Sequence, residues 1–197
     1  MRRIFILTIF LTISLANLNF AHSISPDVFI QSTVNRASQV LSENISKNKK
    51  IDKLKLIAKE TVDIEGVGFY SLGSVRNNIN DEQKSTYTNL FENYFLKSFS
   101  SRLAEYTNPE IEVKNKQILN NNYTIVNSVL VATEDRPEIK IDWRVYTKNP
   151  DNPLIRDLII EGLSLARTQK EEFASILNSN DGDISILFKT LEEFSNN

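Results

Sequence analysis

Apolar positions along this chain recur at two periods, and the switch between them divides it into three blocks. From Pro26 to about Tyr106 the spacing is near 3.6 residues, the mark of amphipathic helices. Pro26-Asp27 opens a first helix with Val28, Val34, Ala37, Leu41 and Ile45 on one side, proline being tolerated at a helix start. After the polar break from Ser46 to Lys50, Ile51, Leu54, Ile57 and Ala58 begin a second, shorter helix. Asp63 to Gly73 carries three glycines among Ile64, Val67, Phe69, Tyr70 and Leu72. Glycine weakens a helix, so bent or closely packed helical turns are expected there. Asn80-Asp81-Glu82-Gln83 marks another helix start, with acids favoured in the first turn. That helix runs to about Tyr106, with Phe91, Phe95, Phe99 and Leu103 at i, i+4 spacing and Tyr87, Leu90 and Tyr94 beside them. Asn108-Pro109 ends it.

Alternation then takes over. Ile111 and Val113 begin one strand, and Tyr123, Ile125, Val129 and Val131 alternate in a second. Ile139, Ile141, Trp143 and Val145 give the clearest period-two run, with Lys140, Asp142 and Arg144 on the opposite face. A turn at Asn149-Pro150-Asp151-Asn152-Pro153 leads to a fourth strand over Leu154 to Leu163. Helices return at about Leu165 to Leu177 and Ile184 to Phe194, separated by Asn180-Asp181-Gly182. Helices, then strands on short turns, then helices predict an α+β fold: N-terminal helices, a curved antiparallel sheet of about four strands, and C-terminal helices packing on that sheet.

Ahead of this pattern stands Met1-Arg2-Arg3 and a mostly apolar run from Ile4 to Leu15. A basic start and a short apolar stretch, with Ala21-His22-Ser23 as a small-x-small site, read as a cleaved secretory signal over residues 1–23. The run is shorter than the roughly 20 residues that span a bilayer. The single domain would then be 24–197. Losing Arg2 and Arg3 lowers the basic residues from 23 to 21 against 25 acids, so the formal charge moves from -2 to -4. Mild acidity argues against tracking nucleic-acid phosphates. There is no cysteine, and the one histidine, His22, sits at the edge of the signal. The exported protein therefore lacks the commonest metal ligands, the usual base near neutral pH and the strongest nucleophile.

That inventory favours a binder over a catalyst. No catalytic residue and no metal site is assigned. Ser164 follows Gly162-Leu163 without the second glycine of a nucleophile elbow and without a histidine to activate it. Asp157 and Glu161 would share a strand face with Ile155 and Ile159, as a hydrogen-bonded or solvated edge. The aromatic helix is the stronger candidate, because a curved sheet under helices can leave an interior that side chains do not fill, and an apolar lining suits hydrocarbon. The expected lining is Val67, Phe69, Tyr70 and Leu72 of the glycine-bearing block and Phe91, Tyr94, Phe95 and Phe99 of the long helix. From the strands come Val129, Ile141, Trp143, Val145, Ile159 and Leu163. Two other readings compete. A protein-binding adaptor or chaperone would expose an apolar patch and hold no cavity. A small carboxylate-dependent enzyme would bury an acid with shifted titration.

Asp157-Leu158-Ile159-Ile160-Glu161-Gly162-Leu163-Ser164, followed by a helix carrying Phe173, resembles the signature of the MlaC family of periplasmic phospholipid-binding proteins, also called toluene-tolerance auxiliary components. Thr61-Val62-Asp63, Phe69 to Gly73 and the helix with Phe91 and Tyr94 resemble its earlier blocks, so the likeness spans about Ser25 to Phe194. The chain departs at Pro153, where the family usually has tryptophan, and at Gln169-Lys170, where it often has Tyr-Arg. The resemblance implies a soluble shuttle with no cofactor, whose cargo is phospholipid. Its implied partners are an outer-membrane lipoprotein complex and an inner-membrane ABC transporter with its MCE-type substrate-binding component, and its implied role is to maintain outer-membrane lipid asymmetry.

Overall fold

The first two helices pair through their apolar stripes. α1 (Pro26–Ser42) buries Ile30, Thr33, Val34, Val40 and Leu41, while Val28, expected on that stripe, is 60% exposed. α2 (Lys47–Thr61) starts where the Ser46 side chain accepts the Lys49 N–H. Val40, Leu41, Leu54 and Ile57 close a small cluster between the two helices. The computed structural model describes residues 23–196, so the expected signal lies outside the described residues but for Ser23.

The glycine-bearing block folds as α3 (Ile64–Ser71), capped by the Asp63 carboxylate on the Gly66 N–H, and then a 3-10 turn over Gly73–Asn77. Gly73 sits at φ +60, which a side chain would strain. α4 (Asp81–Leu103) opens on a reciprocal capping box: Asn80 accepts from the Gln83 N–H and Gln83 accepts from the Asn80 N–H. It packs against α2, α3 and the last helix.

Five strands follow as an antiparallel meander: β1 (Ile111–Asn120), β2 (Tyr123–Leu130), β3 (Ile139–Tyr146), β4 (Leu154–Ile160) and β5 (Leu163–Ser164). Two expectations fail here. The fourth strand stops at Ile160, because Glu161 at φ +49 and Gly162 at φ +83 reverse the chain into a two-residue fifth strand. The apolar face of β2 is also the opposite one. Thr124, Val126, Ser128 and Leu130 are buried and pair with the inward residues of β3, whereas Tyr123, Ile125 and Val129 point to the other side. α5 (Leu165–Asn178) and α6 (Ile184–Asn196) complete the fold. One main core joins Ile30, Phe91, Val126, Trp143, Phe173 and Leu187, so the helices cover one face of the sheet.

Candidate functional site

Two apolar cavities lie between that sheet face and the helices. The first, about 120 Å³, is enclosed by α1, α2, the end of α4 and the sheet. Its wall includes Val34, Ala37, Leu54, Ile57, Phe99, Leu103, Leu130, Ile141, Trp143 and Ile160. The second, about 180 Å³, opens between α4, α5 and β4, lined by Val67, Phe91, Tyr94, Phe95, Phe99, Leu158, Leu165 and Ala166 among others. Val62, Phe99, Ile155 and Leu158 border both, so these four side chains form the partition.

The i, i+4 aromatic ladder of α4 explains why space remains. Tyr87 stacks on Phe91 at 5.6 Å between ring centroids, Phe91 on Phe95 at 6.1 Å, and Phe95 on Phe99 at 5.4 Å. Its lower half is solid core. Phe91 is 2% exposed, Phe173 meets it edge-on, and Gly68 approaches so closely that a Cβ there would lie 2.7 Å from the ring. Tyr87 donates its hydroxyl to the Gly68 carbonyl at 2.9 Å, and burial pushes its titration above the ordinary tyrosine range. Higher up, Phe95 and Phe99 are only half-buried and face the cavities. Opposite them Trp143 donates its indole N–H to Ser128 Oγ at 2.8 Å, and that hydroxyl donates on to the Ile141 carbonyl. The polar atoms of this wall are thus paired with each other, and what faces inward is hydrocarbon.

Strand β4 reaches both cavities through a bulge. Ile155 pairs with Val145 and Leu158 with Trp143, an odd spacing that inserts one residue near Arg156. Alternation from Ile155 therefore breaks. Leu158 and Ile160 turn inward, and Ile159 pairs with Asp142 on the outer face. The same bulge separates Asp157 from the face of Ile155. Asp157 is 5% exposed and faces Arg144, 3.7 Å away. It accepts the Ser164 hydroxyl at 2.7 Å and the Ala166 N–H at 3.0 Å. Ser164 in turn accepts the Arg167 N–H. Asp157, the Glu161-Gly162 reversal and Ser164 therefore form a tether that fixes the start of α5, which supplies one wall of the second cavity.

Of the expected lining, Val67, Phe91, Tyr94, Phe95, Phe99, Ile141 and Trp143 border these two cavities. The others do not. Phe69 and Leu72 pack into core, and Val145 is fully buried between β2 and β4. Val129 and Ile159 lie on the outer face because of the strand parity and the bulge. Tyr70 is 39% exposed and Leu163, in the fifth strand, 60%. Missing from the expectation were the α1 and α2 residues of the first cavity. Their stripes were visible, but a stripe does not say whether the facing surface touches it.

Among the described residues no helix is long and apolar enough to cross a membrane, and no group of three or more His, Cys, Asp or Glu converges. The fold and site define a class: an α+β protein with a five-stranded antiparallel sheet roofed by helices over apolar cavities. Residues 31–193 match the MlaC protein family, and the chain belongs to it. A solved structure of a phospholipid-binding protein from Ralstonia solanacearum, in complex with a phospholipid, shares the fold. The TM-score is 0.73 at 18% identity, over 87% of this chain and 97% of that one. No curated protein matches.

Proposed function

We propose that this protein is a periplasmic phospholipid carrier. It takes acyl chains into the two cavities and ferries lipid between an outer-membrane lipoprotein complex and an inner-membrane ABC transporter with its MCE-type component, so maintaining outer-membrane lipid asymmetry. The observation that carries the reading is the pair of largely apolar cavities meeting at Phe99 and Leu158, in a chain of the MlaC family. The phospholipid held by the Ralstonia structure supports it.

Physical chemistry sets what such a carrier must do. Exposing a lipid tail to water costs about 0.8 kcal/mol per CH₂, so a chain of about 16 carbons costs on the order of 12 kcal/mol. A dry apolar wall offsets most of that cost. A cavity of roughly 150 Å³ takes a benzene ring, so each space accepts only a segment of a chain in this arrangement. A whole tail requires the Phe99 partition to shift, and the half-buried state of Phe95 and Phe99 leaves them freer to move than Phe91.

Asp157 speaks against the enzyme alternative, since both of its oxygens are spent holding α5. The test is mass spectrometry of lipids extracted from the purified protein, with quenching of the single tryptophan by phospholipid brominated along its acyl chains. Co-purified phospholipid and quenched Trp143 emission are expected. Protein that never carries phospholipid and is never quenched refutes the proposal.

A further inference from the structure

The second cavity has a polar mouth, and its charges are not equivalent. Four charged side chains lie on its wall: Arg102, Arg156, Asp157 and Glu172. Two are consumed within the protein. Arg156 donates to the Asp63 carboxylate at 2.6 Å and to the Tyr123 hydroxyl at 2.8 Å, and lies over the Tyr146 ring at 3.9 Å. Asp157 is held by Ser164, Ala166 and Arg144. The other two are exposed, and among the described residues neither has an ion-pair partner within 4 Å. Arg102 lies in the last turn of α4, one turn beyond Ser98. Glu172 stands on α5, one turn short of Ile176, at the end of a hydrogen-bond chain. Tyr94 donates to Gln169 at 2.8 Å, and Gln169 donates to Glu172 at 3.0 Å. A tyrosine anchored in the aromatic core thus orients the acid at the rim. Burial raises the titration of the Tyr94 hydroxyl; the Glu172 charge adds to that rise and the Arg102 charge opposes it.

A greasy slot whose rim carries one cation and one anion, each without an ion-pair partner among the described residues, is complementary to an amphiphile with both charges in its head. The geometry points to selection of a zwitterionic aminophospholipid: Arg102 meets the phosphate, and Glu172 meets the ammonium of an ethanolamine headgroup. This rests on the carrier reading and adds headgroup choice to it. A headgroup of net negative charge gains Arg102 but faces Glu172 without a cation of its own, so phosphatidylglycerol is the disfavoured competitor.

The experiment loads the purified, delipidated protein from mixed vesicles. These hold equal phosphatidylethanolamine and phosphatidylglycerol with the same acyl chains, and bound lipid is read by mass spectrometry. Wild type is expected to enrich the ethanolamine lipid. Glu172→Gln lowers the ethanolamine-to-glycerol ratio about fivefold, and Glu172→Lys lowers it further; fivefold is about 1 kcal/mol, the upper range for an exposed charge pair. Arg102→Gln moves the ratio the opposite way. Both sites are exposed, and glutamine suits a helix, so these variants keep the fold. A ratio unchanged by either variant, or shifted the same way by both, overturns headgroup selection while the carrier reading stands on total lipid bound. If no lipid of either kind is bound by wild type, both fall together.

Discussion

Replacing Asp157 by asparagine tests whether the segment from Asp157 to Ser164 is a structural tether. The side chain keeps its shape but loses its charge and one of its two acceptor oxygens. The Ser164 hydroxyl and the Ala166 N–H can no longer both donate to it as they do to the two carboxylate oxygens, in a site where Asp157 is 5% exposed. Losing one charge-assisted hydrogen bond costs about 1.5–3 kcal/mol. The partly exposed Arg144 contact, at 3.7 Å, adds less than about 1 kcal/mol. The sum is on the order of 2–3 kcal/mol, which for a domain of this size shifts Tm by roughly 5–10 °C. Urea and thermal unfolding followed by far-UV circular dichroism measure it. Ser164→Ala and the double variant give the coupling between the two side chains. A Tm within about 2 °C of wild type, or strict additivity of the two changes, refutes the tether. Because α5 forms a wall of the second cavity, the same variant should also bind less phospholipid than wild type.

Phe95→Glu puts a charge into the second cavity at a half-buried position, so lipid occupancy by mass spectrometry should fall severalfold with the fold intact; unchanged occupancy, or collapse of the protein, would mean ordinary core. Gly68→Ala gains up to about 1 kcal/mol of helix propensity but drives a methyl against Phe91, which Tyr87 and Phe173 prevent from retreating. Overpacking of about 1–3 kcal/mol should leave a net loss in the urea midpoint, and an equal or raised midpoint contradicts the close fit. Asp27 titrates at about 2, below its ordinary 3.8, held there by Lys116 first and Ser25 second. Its lowered pKa means the contribution is complete above about pH 4 and is lost as pH falls toward 2. Asp27→Asn should therefore cost under about 1 kcal/mol at neutral pH, the side chain being 36% exposed, with the gap closing between pH 4 and pH 2. A gap that is constant with pH counts against the pairing.

Much of the architecture was legible without coordinates. Period-two alternation located β3, the Asn80-Asp81-Glu82-Gln83 box located the start of α4, and Asn180-Asp181-Gly182 located the break between α5 and α6. These features depend on interactions within a few residues, so they are written locally. The order of the family blocks was equally readable, since it is a property of the chain itself. What the chain could not state is which surfaces touch. β2 carries apolar groups on both faces, and Tyr123 on the outer one is held by Arg156 and Tyr146, residues more than twenty positions away. The bulge near Arg156, which decides that Leu158 rather than Ile159 faces inward, exists only in the register with β3. Most of all, Phe91 and Phe99 stand on one helix face with the same spacing, yet Phe91 is buried against Gly68 and Phe173 and borders the second cavity alone, while Phe99 is half-buried and borders both. Local sequence sets the position of each ring on its helix. How near the opposite wall comes is set by packing of the whole fold, and that distance separates a core from a cavity.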